Sequence, residues 1–109
     1  METPDSWIVV KITKGSENPI YKVFASWRGG YLDGDYWQMN SGIVKVEEDE
    51  NYFNFYGQSG SCYQCHKKGY GTIPYSQCVL NQMIKNVGKV GAVMEEMDMD
   101  TDWSSLSYV

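Results

Sequence analysis

Broad aromatic side chains and glycines are interspersed along most of this 109-residue chain. It contains four Trp, nine Tyr, three Phe and eleven Gly, and aromatic residues make up 15% of the sequence. Aromatic and β-branched side chains cover a pleated surface well, whereas glycine supplies the positive φ that tight turns require. The combination is typical of a small, twisted antiparallel sheet. The length indicates a single domain over residues 1–109, which can bury a core without metal or disulfide support.

Alternation of apolar and polar residues indicates where the strands lie. A hairpin is predicted from a strand over residues 7–13, a turn over residues 15–19 and a strand over residues 20–27. In the second of these strands the side chains expected to face the core are Tyr21, Val23, Ala25 and Trp27. The pair Asp33-Gly34 predicts another turn. Further strands are predicted over residues 43–47, 51–57, 62–68 and 92–97, with Phe53 and Phe55 on one face.

One helix is predicted over residues 74–87. Pro74 suits a first helical turn, Thr72 is a candidate cap, and Gly88 is expected to end the helix in the left-handed conformation. The apolar stripe of this helix consists of Ile73, Leu80, Met83, Ile84 and Val87. The predicted fold is therefore α+β: a strongly twisted antiparallel sheet of about five to six strands, with this helix packed on it. The tail from about residue 101 is expected either to cap the core or to fray.

The charge balance bears on possible partners. Nine basic and fourteen acidic residues give a net charge of −5, which repels phosphates and attracts basic protein surfaces. We therefore expect no direct binding to nucleic acid. The longest aliphatic run, residues 8–10, is interrupted by Lys11, so no membrane-spanning segment is expected. The sequence predicts no oligomeric state.

Residues 62–66 spell Cys-x-x-Cys-His, the spacing by which c-type haem is attached. Haem c is attached outside the cytoplasm, and residues 1–6 lack the basic start and apolar core of an export signal. An odd number of cysteines fits a reducing compartment in which thiols stay free. We therefore expect a cytoplasmic protein with unpaired cysteines and no haem.

Strand geometry also argues against a metal at this motif. In a strand, Cys62 and His66 share one face while Cys65 points to the other, so the two thiols diverge. No metal or other cofactor is expected on this interpretation. The alternative is a small metal- or thiol-dependent protein with a zinc site formed by Cys62, Cys65, His66 and Cys78. That site would require residues 62–65 to form a tight knuckle instead of a strand.

No set of residues predicts catalysis. His66 is the single histidine, and in a strand it would point away from its neighbour Cys65. Asp33 and Asp35 could pair their carboxylates in the glycine-rich loop, but carboxylates are common in solvated turns. No glycine-rich phosphate loop precedes the helix. We therefore predict that the protein is not an enzyme. The alternative is a small enzyme or ligand-binding domain that uses residues 30–35.

Acidic residues are concentrated near the C-terminus. Residues 98–102 resemble the first half of an EF-hand calcium loop, but Trp103 replaces the required glycine and Val109 the final glutamate. In an extended chain, carboxylates two residues apart would lie on one side at about 6.6–6.8 Å, close to two nucleotide steps of a DNA strand. The residues concerned are Glu96, Asp98, Asp100 and Asp102. They predict either an imitation of nucleic acid or a charged edge that prevents aggregation.

Two long segments resemble a known group of proteins. YKVFASWRGGY at residues 21–31 and GDYWQMNSGI at residues 34–43 look like small uncharacterised accessory proteins of T-even-like bacteriophages, and residues 59–72 have similar character. The resemblance implies a protein made in an infected bacterial cytoplasm that binds a host protein, such as a defence or nucleic-acid-handling factor. The residues expected to bind this partner are Glu96, Asp98, Asp100, Asp102, Tyr31, Tyr36 and Trp37.

Overall fold

The computed structural model describes residues 1–29 and 34–108, which form an α+β fold. Seven strands, one α-helix and one 3₁₀ helix lie in these ranges. The elements are β1 (Ser6–Lys14), β2 (Ile20–Trp27), β3 (Tyr36–Met39), β4 (Ile43–Glu48), β5 (Tyr52–Gly57), β6 (Cys62–His66), α1 (Pro74–Gly88), β7 (Ala92–Glu96) and the 3₁₀ helix (Trp103–Ser105). The predicted turn at Asp33-Gly34 lies partly outside the described residues.

The strands form two antiparallel sheets, whereas the sequence predicted one. The first sheet has the order β3-β2-β1-β7 and the second the order β4-β5-β6. Between β3 and β4 the chain leaves the first sheet through Gly42, whose φ of 132° is a conformation that glycine adopts readily. The second sheet covers one face of the first, and α1 covers the other face. The result is three layers, because β1 and β2 are apolar on both faces.

Strand β2 shows why one covering layer is insufficient. Its residues Tyr21, Val23 and Ala25 are buried against the second sheet, as predicted. On the opposite face Phe24 and Ser26 are also fully buried, with Phe24 packed in the cluster beneath α1. The alternation of polar and apolar residues in β2 therefore predicted only one of its two buried faces.

Aromatic rings fill the space between the two sheets. The ring of Trp7 lies 4.8 Å from that of Tyr70, 5.4 Å from that of Phe55 and 6.1 Å from that of Trp103, measured between centroids. These tilted and edge-to-face arrangements are the favoured geometries of aromatic pairs. Phe53 packs against the same cluster as Phe55, so their predicted common face is confirmed.

Helix α1 matches the predicted range, but its ends differ from expectation. The hydroxyl of Ser76 accepts a hydrogen bond from the backbone N–H of Ile73 and so caps the first turn. Thr72, the predicted cap, instead bonds to the side chain of Gln77. Gly88 belongs to the helix, and the left-handed glycine is Gly91 (φ 81°), in the turn before β7. The chain therefore reverses direction at Gly91, three residues after the predicted position Gly88.

The C-terminal tail contributes a large side chain to the core. Trp103 is 1% exposed and contacts the aromatic cluster between the sheets. The side chain of Asp102 accepts a hydrogen bond from the N–H of Ser104 and starts the 3₁₀ helix. Within the described ranges, neither helix has the length and apolar character needed to cross a bilayer.

Candidate functional site

The Cys-x-x-Cys-His segment forms strand β6. Burial alternates along it: Tyr63 and Cys65 are buried, while Cys62, Gln64 and His66 are half-buried on the outer face. The prediction that the two thiols diverge is therefore confirmed. The divergence follows from the pairing of β6 with β5, in which Cys65 lies opposite Phe53 and its side chain enters the core.

The three cysteines occupy different environments. Burial raises the pKa of the Cys65 thiol, which disfavours the thiolate that binds metals and attacks electrophiles. Cys78 is exposed on α1, which packs on the face of the first sheet opposite to the one that β6 covers. In the described part of the chain, no three His, Cys, Asp or Glu side chains are grouped as metal ligands would be. The structure thus does not bring Cys62, Cys65, His66 and Cys78 together as the alternative zinc site would require.

His66 is held by the turn that follows β6. Its Nδ1 accepts a hydrogen bond from the N–H of Lys68 at 3.0 Å, and its ring packs edge-on against Tyr52. Its carbonyl oxygen accepts a hydrogen bond from the indole N–H of Trp7 at 2.7 Å. These contacts join the end of the second sheet to the aromatic core, so Nδ1 and the carbonyl oxygen of His66 serve local structure.

The acidic residues near the C-terminus do not continue as an extended strand. β7 ends at Glu96, and Asp98 begins a turn in which its carboxylate accepts a hydrogen bond from the N–H of Asp100 at 2.8 Å. Asp102 then caps the 3₁₀ helix. The evenly spaced row of four carboxylates predicted from the sequence is therefore wrong beyond Glu96, because the chain turns to bring Trp103 into the core.

These residues nevertheless follow one another closely along the chain, in what we call the acidic segment (residues 95–102). All five of its carboxylate side chains are exposed: Glu95, Glu96, Asp98, Asp100 and Asp102. The two ion pairs found among the described residues, Lys45–Glu47 and Lys67–Glu48, lie elsewhere, around the turn between β4 and β5. Met99, 65% exposed, adds an apolar side chain to the segment. None of these carboxylates forms an ion pair among the described residues, although Lys11 of β1 lies opposite Glu95 in the strand register.

The aromatic residues predicted to bind a partner lie at the opposite edge of the first sheet. Tyr36 on β3 stacks on Trp27 with ring centroids 5.0 Å apart and planes 7° apart. Trp37 stacks on Phe24 at 5.5 Å. β2 and β1 lie between β3 and β7, so the two edges are separated by about 14 Å. Tyr31 lies outside the described residues, as do residues 30–33 of the predicted glycine-rich loop.

A groove beside α1 was not predicted from the sequence. It has a volume of about 370 Å³, its walls are almost entirely apolar, and it is lined by Cys78, Val79, Gln82, Met83 and Asn86. Val79 and Met83 also contact the cluster beneath the helix. Val79, four residues before Met83 and outside the predicted apolar stripe, was the available signal. All five lining residues belong to α1, so the groove is a shallow, open feature of the helix surface.

Comparison with protein-family models, curated proteins and solved structures finds no significant match to this chain.

Proposed function

We propose that this protein is a non-enzymatic accessory protein of bacteriophage type that binds a protein of the host bacterium. The observation that carries the proposal is the acidic segment, whose carboxylates are exposed and take no part in the ion pairs of the described residues. Unneutralised charge of one sign attracts a partner of opposite charge and speeds its association. The partner would therefore present a basic surface.

Apolar side chains beside the carboxylates support binding to a protein. Met99 is 65% exposed and Val93, on the outer strand β7, is 56% exposed. Protein interfaces combine an apolar centre with a polar rim, and methionine is enriched in them. A host protein that handles nucleic acid, or a defence factor that binds it, has the basic surface this arrangement requires. On this proposal the protein acts in the host cytoplasm.

The aromatic residues at the β3 edge are proposed as a second contact surface. Tyr36 is 45% exposed, and its stacking on Trp27 holds the ring in one orientation. A rigid aromatic side chain loses little conformational entropy on binding, which is why tyrosine and tryptophan often dominate interfaces. The acidic segment and this edge are too far apart to contact one small epitope, so a single partner would have to span the first sheet.

The proposal is tested by affinity capture from bacterial lysate at about 50 and about 200 mM salt, which differ strongly in charge screening. The test variant carries Glu95→Gln, Glu96→Gln and Asp100→Asn, which spares the two aspartates that accept backbone hydrogen bonds. The matched control carries Glu17→Gln, Glu47→Gln and Glu50→Gln. Each variant removes three negative charges from the net −5, so total charge is balanced between them.

We expect a specific host protein to be captured by the wild type and by the control, and to be lost with the test variant and at the higher salt. Titration calorimetry with the purified partner then measures the loss, expected to be at least about tenfold in Kd. Capture of no partner at either salt, or equal loss with both variants, would contradict the proposal.

A further inference from the structure

A short segment at the start of the chain covers the outer edge of β6. The N–H of Glu2 donates a hydrogen bond to the carbonyl of Cys62 at 2.9 Å, and the N–H of Gln64 donates to the carbonyl of Glu2 at 2.7 Å. Glu2 thus forms a parallel bridge with β6 at Tyr63. The groups it occupies are those that β6 turns away from β5, because alternate residues of a strand direct their backbone groups to opposite sides. We call residues 2–5 the strap.

The far end of the same edge is occupied by other parts of the chain. The carbonyl of His66 accepts hydrogen bonds from the indole N–H of Trp7 at 2.7 Å and from the N–H of Gly69 at 2.9 Å. The stretch from Cys62 to Gln64 is therefore the part of the β6 edge that the strap alone covers among the described residues.

Pro4 ends the pairing of the strap with β6 after a single bridge. In a regular parallel ladder the N–H of residue 4 would donate to the carbonyl of Gln64, and proline has no N–H. Pro4 is buried, and from it the chain crosses to the first sheet, where the N–H of Asp5 donates to the carbonyl of Ser26 at 3.0 Å. The strap therefore spans the seam between the two sheets, with few hydrogen bonds at either end.

The outer strands of the two sheets are protected against strand addition in different ways. β4 contains Glu47 and Glu48, and β7 contains Glu95 and Glu96, so that copies paired through these strands would bring like charges together. β3 has four residues, and a very short edge strand offers little to pair with. β6, with the sequence CYQCH, contains no Asp, Glu, Lys, Arg or Pro. Its protection therefore depends on being covered.

We propose that the strap is an edge guard, which keeps β6 from pairing with β6 of a second copy of this chain. Two β6 strands can pair antiparallel about Tyr63, with Cys62 of each copy opposite Gln64 of the other. This arrangement would use the two groups that Glu2 occupies. It would also use the N–H of Cys62 and the carbonyl of Gln64, which the single bridge to the strap leaves out. The edge is thus complementary to itself once the strap is displaced.

The number of hydrogen bonds does not decide between the strap and a second copy. The strap supplies two backbone hydrogen bonds to β6, and antiparallel pairing of two copies would supply as many per chain. The strap prevails because it belongs to the same chain, so its effective concentration at the edge does not fall on dilution. Loss of one of its hydrogen bonds should therefore shift the balance toward self-association.

The test compares variants of the 109-residue chain by sedimentation velocity at increasing protein concentration, and by amide hydrogen exchange in NMR at the lowest concentration. Glu2→Pro removes the N–H that donates to Cys62. The matched control is Thr3→Pro, at an exposed residue whose N–H donates to no group of the described residues. A double variant adds Gln64→Pro to Glu2→Pro. It leaves the strap weakened but also removes an outward N–H of β6, a change that edge strands tolerate.

We expect the Gln64 amide to exchange at least about tenfold faster in Glu2→Pro than in the wild type, while the Cys65 amide, which faces β5, changes less than about threefold. Glu2→Pro should form larger species whose share rises with protein concentration. Thr3→Pro and the double variant should sediment like the wild type. A second double variant, Glu2→Pro with Gln64→Lys, retains the N–H but adds a charge at the edge, and it should also sediment like the wild type.

The proposal is overturned if Glu2→Pro speeds exchange at Gln64 without self-association, because the uncovered edge would then not pair. It is also overturned if exchange at Gln64 is unchanged, if Thr3→Pro associates as much as Glu2→Pro, or if both double variants still associate. Circular dichroism of each variant confirms that it is folded. The guard does not depend on partner binding by the acidic segment, so the two proposals can fail separately.

Discussion

The hydroxyl of Tyr70 donates a hydrogen bond to the carbonyl oxygen of Met97, 2.5 Å away. The same oxygen of Tyr70 accepts a hydrogen bond from the backbone N–H of Val9 at 3.3 Å, while the N–H of Met97 donates directly to the carbonyl of Val9. β1 and β7 pair regularly up to Val10 and Glu96. At the next pair, Val9 and Met97, the hydroxyl of Tyr70 bridges the N–H of Val9 and the carbonyl of Met97 and takes the place of one ladder hydrogen bond.

Replacing Tyr70 by phenylalanine should destabilise the protein. The change leaves the N–H of Val9 and the carbonyl of Met97 without this partner, and unsatisfied buried groups cost about 1–3 kcal/mol. Urea denaturation followed by tryptophan fluorescence measures the free energy of unfolding. Tyr75→Phe is the control, since Tyr75 is 45% exposed on α1, and it should change stability by less than about 0.5 kcal/mol. Equal effects from both substitutions would contradict this role for the hydroxyl.

The same tyrosine predicts a loss of stability at alkaline pH. Burial raises the pKa of Tyr70 from 10.0 to about 12, and the nearby carboxylates of Glu96 and Asp98 add to the shift. The folded state therefore holds this proton more tightly than the unfolded state, so its contribution is fully present below pH 10 and is lost as pH rises toward 12. Stability measured in urea should fall over this interval, and less steeply in Tyr70→Phe. An unchanged slope in that variant would show that other groups cause the fall.

The three cysteines should react with iodoacetamide in a fixed order. Cys78 is exposed, Cys62 is half-buried and Cys65 is buried, with a thiol pKa raised by burial. At pH 8, labelling followed by peptide mass spectrometry should modify Cys78 first, then Cys62. Cys65 should react at least about a hundredfold more slowly than Cys78, because it must wait for the core to open. In urea all three should react at similar rates. Protection of Cys62 and Cys78 together, relieved by a chelator, would instead indicate bound metal.

Trp103 should contribute strongly to stability although it lies near the C-terminus. It is 1% exposed, and its ring lies 5.9 Å from that of Tyr70 and 6.2 Å from that of Phe55. Trp103→Ala should cost about 3–5 kcal/mol in the free energy of unfolding, since it leaves a large cavity. Met99→Ala, at a side chain 65% exposed, is the control and should have little effect. A small loss for Trp103→Ala would mean that the tail is dispensable.

Local patterns in the sequence predicted most of the elements, but not strand β3 (Tyr36–Met39), which makes seven strands where about five to six were predicted. β2 matches its predicted range, and α1 is one residue longer than predicted. The opposite directions of Cys62 and Cys65 also followed from strand periodicity. These features depend on φ/ψ preferences and on the alternation of polar and apolar side chains, which act between residues close in sequence.

The division of the strands into two sheets was harder to predict from the sequence. The burial of Phe24 depends on α1, about fifty residues further along the chain, and the end of β7 at Glu96 depends on where Trp103 packs. Strand periodicity carries no information about which layer covers a face. The even row of carboxylates was predicted on the assumption that the chain continues straight, and packing of the tail overrode it.

Residue order along the chain was thus sufficient for the α+β class, the positions of α1 and of every strand except β3, and the divergence of the thiols, because steric and hydrophobic preferences act locally. The Tyr70 hydroxyl in the β1–β7 ladder and the separation of acidic from aromatic residues depend on folding in three dimensions. Tyr70 meets Val9 across 61 positions and Met97 across 27. Such contacts depend on how whole layers pack, a property that no short stretch of sequence encodes.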